Sequence, residues 1–481
     1  MTATAGQTYD VVIRGGTVVS EGAPYRADIG IRGGIIAAIG LPGEEPAMTG
    51  TEVIDATGKY VLPGVIDCHV HFRQPGKEYK EDFLTGSLAA AYGGVTTVID
   101  MPNTDPPTDS VEHFFAKKEI AAARSYVDFG LYGLVSDRSW GNIEAMHRAG
   151  AVGFKTYLSN STSSHIGMIS DGTLLESFEI LASLGARCVV HAENGSIIEN
   201  RTRRLKAAGR SDPRAHLDSR PDVCAVEAVA RSVIFSEWTG AQIHIAHEGT
   251  AGAIDFISAA KSRGVNVTVE TCPQYLLLSV EDLQRNGGVM RCNPPLREPV
   301  HQARLWSGLL SGEIDVIATD HAPHTPEEKL HKGIWECQCG MLGVETALPL
   351  MLTEVARGRL TLTDYVRIAS VNPAKLWRLY PRKGTIRVGS DADIVVVDLN
   401  LTGTIDQEQL HSKSRISSWH GREVRGLPVC TMVRGKVIVQ DGVLRGAPGW
   451  GEYVSQTPAE PSPRYVGVGA PSQGGSASEA T

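Results

Sequence analysis

From Pro63 to about Arg382 the chain alternates short apolar runs of strand character with segments of helix length, and this alternation constrains the fold most. The runs include Val95–Met101, Val152–Tyr157, Arg187–His191, Gln242–His247, Val265–Glu270 and Asp315–Asp320. Strands separated by helices pair in parallel, because the helix carries the chain back to the starting edge. Six or more such units over about 320 residues predict a closed (β/α)₈ barrel, with a doubly wound open sheet as the alternative. The flanks read differently. Asp10–Ile54 holds the short β-runs Val11–Arg14, Thr17–Val19 and Ile29–Ile31 between glycine turns, and Thr385–Val397 and Thr431–Val439 repeat that style. One small β-sandwich built from both chain ends is expected, over residues 1–62 and 384–455, around a barrel at 63–383. The tail 456–481 is rich in Pro, Ser, Gly and Ala and is expected to be a flexible arm without chemistry.

Composition removes several function classes. Lys plus Arg is 46 and Asp plus Glu is 54, a formal charge of −8 with no basic cluster, so nucleic acid is not an expected partner. No stretch approaches the roughly eighteen apolar residues of a membrane span. Met1–Gln7 lacks a charged and apolar leader pattern, which suggests a cytoplasmic protein. The eight cysteines are scattered, and the close pair Cys337 and Cys339 has no second pair at zinc-ribbon spacing, so free, mostly buried thiols are expected.

Candidate chemistry gathers where the strand runs stop. In His69-Val70-His71, residues two apart on a strand point the same way, so both imidazoles can face one cavity. His191, His247 and Asp320 end later runs, and in a barrel those ends converge on the face where active sites are built. Such nitrogen and oxygen donors suit zinc, manganese or a similar divalent ion. His244 is excluded as a ligand, since an offset of three from His247 turns it to the opposite face. Lys155 ends the run Gly153-Phe154-Lys155. Beside cations its amine loses a proton more readily and could take up carbon dioxide as a carbamate; the alternative is a solvated or salt-bridged lysine.

Several longer motifs carry a resemblance. Leu62-Pro63-Gly64, Asp67-Cys68-His69-Val70-His71-Phe72-Arg73-Gln74-Pro75-Gly76, Gly93-Gly94-Val95-Thr96-Thr97, Met101-Pro102-Asn103-Thr104 and Thr319-Asp320-His321-Ala322-Pro323-His324 resemble the dihydroorotase, allantoinase and hydantoinase branch of the amidohydrolase superfamily. The likeness runs from about residue 8 to residue 455 and includes Lys383-Gly384-Thr385-Ile386 and Gly389-Ser390-Asp391-Ala392-Asp393. It implies two divalent cations, most simply zinc, held by His69, His71, His191, His247 and Asp320, with a carboxylated Lys155 bridging them. It also implies that Asp320 carries the proton in hydrolysis of a cyclic amide.

The same resemblance bears on the substrate, a small cyclic amide or ureide. Arg73, Asn103 and His324 look like the dihydroorotase set that holds a ring carboxylate, and Asn293 matches a position that contacts the pyrimidine ring. An arginine suits that task because its guanidinium forks onto a carboxylate; the alternative is a structural salt bridge to Glu81 or Asp82. Gly150–Tyr157, His191-Ala192-Glu193-Asn194, Ser219-Arg220-Pro221 and Tyr380–Val397 are instead similar to allantoinases and hydantoinases. Dihydroorotase, with a place in pyrimidine biosynthesis, is the leading expectation and allantoinase or hydantoinase the rival. A non-catalytic scaffold relative is the reading from another class, set against by the six filled ligand positions. A homo-oligomer is expected, as is common for such barrels.

Overall fold

The computed structural model describes residues 8–44, 47–161 and 166–457. The start Met1–Gln7 and the tail beyond residue 457 lie outside the described residues. Strands β1 (Thr8–Val18), β2 (Tyr25–Arg32), β3 (Ile35–Gly40), β4 (Thr49–Asp55) and β5 (Tyr60–Pro63) come first. There follow β6 (Val65–Val70), β7 (Val95–Asp100), β8 (Asp128–Leu134), β9 (Gly153–Tyr157), β10 (Arg187–His191), β11 (Gln242–Ile245), β12 (Val267–Thr271) and β13 (Val316–Ile317). The last strands are β14 (Ile394–Thr404), β15 (Glu423–Val433), β16 (Lys436–Gln440) and β17 (Val443–Leu444).

β6 to β13 form an eight-stranded sheet in sequential order, each strand parallel to its neighbours. A bridge between Val70 and His321 brings the first strand to the segment after the last, which makes a nearly closed barrel. A doubly wound sheet would show a reversal of strand order, and none occurs here. Helices outside the barrel cover it, as in Asp171–Leu184. Ser170 caps that helix by accepting from the Thr173 amide, Gly185 ends it at φ 60°, and Leu174, Phe178 and Leu181 turn one apolar face inward. Burying each such side chain contributes roughly 1.5–3 kcal/mol. With helices on one side and packed side chains on the other, every residue of β7, β8, β9 and β10 is buried. β8 is broken by glycines because neighbours lie against it: a Cβ at Gly133 would stand 2.8 Å from the Phe154 ring.

The two chain ends meet where β14 pairs antiparallel with β5, Ile394 opposite Pro63. The resulting nine-stranded sheet runs β17-β16-β15-β14-β5-β1-β2-β3, with β4 on β1. Val11, Ile13, Ile29, Ile31, Ile394, Val396 and Met432 share its core, so both ends fill one interior as the sequence suggested. Two details differ from that reading. The strand expected from Thr385 begins at Ile394, and the segment 451–457 leaves the sheet to lie on the barrel. There Val454 N–H donates to the Phe129 carbonyl at 2.8 Å and Phe129 N–H to the Glu452 carbonyl at 2.9 Å.

The two parts are joined by a buried ion cluster. Lys383 Nζ lies 2.7 Å from Asp128, 3.0 Å from Asp391 and 2.5 Å from Asp393, and Arg434 also pairs with Asp128. Removing one partner from a buried pair leaves charge uncompensated and costs about 3–5 kcal/mol. Lys383→Met is therefore expected to lower the urea midpoint markedly, and an unchanged midpoint would show that the cluster does not hold the parts together.

Candidate active site

The C-terminal ends of the barrel strands surround a small cavity of about 40 Å³. His69, His71, Lys155, His191, His247 and Asp320 all line it. His69 lies in β6 and His71 just beyond, where the strand period turns both rings inward. Lys155 stands in the middle of β9 rather than at a terminus, paired in register with Val189, because the strand continues to Tyr157. Tyr157, two residues on, therefore faces the same cavity, a site residue that the sequence reading passed over although the strand period points to it. His247 and Asp320 sit past their strands with φ of 38° and 48°, and Arg73 has φ 63°. Non-glycine residues held there cost on the order of 1–3 kcal/mol each, and such positions concentrate at functional sites.

The donor atoms fall into two groups. His69 Nε2 is 3.3 Å and His71 Nε2 3.1 Å from Asp320 Oδ1, while His191 Nδ1 is 3.0 Å from His247 Nε2. Ligands about 2.1 Å from a tetrahedral cation stand roughly 3.4 Å from one another, so both groups fit. Burial pushes the pKa of all four imidazoles down, keeping their ring lone pairs free to bind. The outward nitrogens are held: His69 Nδ1 by Glu270, His71 Nδ1 by Asn103 Oδ1 at 2.7 Å, and His191 Nε2 by Glu193 at 2.9 Å, itself paired with Arg220. Metal-binding histidines are oriented in this way. Among the described residues Lys155 Nζ has no hydrogen-bond partner although it is fully buried, and burial lowers its pKa to about 8. A solvated or salt-bridged lysine does not match that environment. Burial raises the Asp320 carboxyl, against the pull of His69 and Lys155.

Three of the four residues expected to meet substrate also border this cavity. Arg73, Asn103 and Asn293 line the cavity. Arg73 is buried and makes no ion pair among the described residues; Asp82 turns to Lys413 and Glu81 to Thr85 and Ser412. Asn293 Oδ1 is buried without a partner among the described residues. His324 departs from expectation. It lies behind Arg73, its Nε2 3.3 Å from that guanidinium and 3.0 Å from the Cys339 carbonyl, its Nδ1 3.2 Å from both Lys80 and Glu328. Those contacts use both ring nitrogens, so it supports the arginine instead of facing the cavity. His244 turns away, as its offset indicated, to Thr268 and Glu270.

Residues 60–438 match the amidohydrolase family. The chain belongs to that family. This amidohydrolase is 38% identical to an L-hydantoinase of Paenarthrobacter aurescens, covering 94% of this chain and 100% of the relative. It is 37% identical to an allantoinase of Rubrobacter xylanophilus over 92% of this chain and 96% of that one. A dihydroorotase of Methanothermobacter thermautotrophicus is 39% identical over 85% and 90%. Its fold matches a solved L-hydantoinase (dihydropyrimidinase) from Arthrobacter aurescens with a TM-score of 0.91, covering 93% of this chain and 100% of that one at 38% identity. The barrel and end sheet of this amidohydrolase thus follow a known enzyme architecture, and among the described residues no helix is long and apolar enough to cross a membrane.

Proposed function

We propose that this amidohydrolase opens the ring of a cyclic ureide of the hydantoin or allantoin kind by hydrolysis. The observation that carries the reading is the convergence of four neutral imidazoles and Asp320 on the buried Lys155, whose Nζ has no hydrogen-bond partner among the described residues. His69, His71 and Asp320 would hold one divalent cation and His191 and His247 a second, zinc by donor type, with a carboxylated Lys155 supplying an oxygen to each. Cations held there would supply Lewis acidity, which lets water act as a nucleophile near neutral pH. Asp320, at the same place in the cavity, would take a proton from the attacking water and return it to the departing ring nitrogen. Asn293 Oδ1 would accept from a ring N–H, and Tyr157 lines the same cavity.

Relatives named hydantoinase and allantoinase match nearly their whole length, which supports the hydantoin or allantoin ring over the dihydroorotate first expected. A second reading, dihydroorotate, rests on Arg73, a buried cation lining the cavity with no ion pair among the described residues. A panel of allantoin, hydantoins and dihydroorotate assayed for ring opening decides between them. Opening of none of these rings would sink the proposal.

Arg73→Met sharpens the same test. Charge-assisted hydrogen bonds contribute roughly 1.5–3 kcal/mol each, so kcat/KM on a ring bearing a carboxylate should fall at least about tenfold. On a plain hydantoin the change should cost little, since a desolvated charge is removed. Equal losses on both rings would assign Arg73 a purely structural role.

A further inference from the structure

Glu270 lies in β12 directly beneath the ligand layer and is fully buried. Its Oε1 accepts from the His247 backbone N–H at 3.0 Å and also meets His69 Nδ1. Its Oε2 meets His244 Nε2 at 3.1 Å and the Cys68 thiol at 3.5 Å. One carboxylate thus ties β6 and the segment after β11 to β12. The contact to His69 has a definite sense. Oε1 already accepts from a backbone N–H, so the hydrogen shared with His69 belongs to Nδ1, leaving the Nε2 lone pair toward Asp320. The contact to His247 acts on backbone, at a residue whose φ of 38° needs an external hold. Cys68, His244 and Glu270 could themselves suggest a third cation site. Their polar atoms are already used, His244 Nδ1 by Thr268 at 2.8 Å, so the trio is a brace.

We infer that Glu270 is a positioning residue for both halves of the centre at once, fixing the ring of His69 in one and the backbone of His247 in the other. Asn103 and Glu193 each hold a single ligand, whereas Glu270 reaches one ligand of each half. The inference rests on the two-cation reading above, and its test separates the two.

The experiment is a Zn²⁺ titration against a competing chelator, with elemental analysis, on the wild type, Glu270→Gln, Glu270→Asp and Glu193→Gln. Loss of an outer partner typically weakens binding about 10–100-fold. Glu270→Gln should show that loss for both cations and Glu193→Gln for one. Glu270→Asp keeps the charge but draws it back by one methylene, and should weaken both to a smaller degree; it carries the test if the Gln variant does not fold. Wild-type affinity at either cation in the Glu270 variants overturns the inference. A wild type that binds no Zn²⁺ overturns the metal reading itself. Glu354, buried and paired with Arg357 and Arg359 away from the cavity, supplies the control. Glu354→Gln should lower thermal stability and leave Zn²⁺ affinity unchanged; an equal loss of Zn²⁺ binding there would reduce the Glu270 effect to general destabilisation and overturn the inference.

Discussion

Asp320→Asn is expected to keep most of the bound metal and lose turnover by about 10²–10⁴-fold, the span that general acid–base catalysis supplies. The substitution is nearly isosteric, and an amide oxygen can still lie beside His69 and His71 as Asp320 Oδ1 does at 3.3 and 3.1 Å. What an amide cannot do is take up a proton and give it back. Burial raises the Asp320 carboxyl above its ordinary value while His69 and Lys155 draw it down, which suits a group that must hold a proton briefly. The loss should therefore appear in kcat with KM little changed. The assay is steady-state ring opening on protein of measured metal content. Turnover within a few-fold of wild type at full metal loading would remove Asp320 from the proton path.

The parts legible in the sequence were those carried by local pattern. The period of two in His69-Val70-His71 placed both rings in the cavity, and the strand–helix alternation gave the barrel. The union of the two chain ends in one β-domain followed from their matching styles, while the antiparallel joint of β5 and β14 is seen only in the structure. Other features escaped because they depend on contacts between distant residues. His69 and Glu270 are 201 residues apart, and only barrel closure brings them together. Strand β8 is interrupted by Gly130 and Gly133, which fit beneath Val152 and Phe154 but weaken any apolar-run signal. His324 belongs to a motif next to Asp320, yet its ring is taken up by Arg73, Lys80, Glu328 and Cys339. The resemblance marked it, and packing turned its ring to these partners and not to the cavity.

Lys155→Ala should abolish measurable ring opening, and short carboxylic acids such as acetate or propionate should restore part of it. At the ordinary lysine value of 10.5 about one amine in a thousand is neutral at pH 7.5, whereas at about 8 roughly a quarter is. The neutral amine can add to carbon dioxide: an Nζ–C bond forms, Nζ releases a proton to solvent, and the side chain becomes a monoanion with two oxygens. With cations held by the four imidazoles around the same cavity, that product would fit the environment better than the ammonium, whose buried Nζ has no hydrogen-bond partner among the described residues. An ammonium there would face incoming cations with like charge; a carbamate would meet them with opposite charge and an oxygen for each. Alanine would remove such an anion and leave space, which a free carboxylate of similar shape could enter. Rescue should rise with acid concentration and saturate, and it should fail with an amine of the same size. A Lys155→Ala protein that retains activity, or one that keeps full metal content and is not rescued by any small carboxylate, would mean that the lysine serves as an amine and the bridge is not a carbamate.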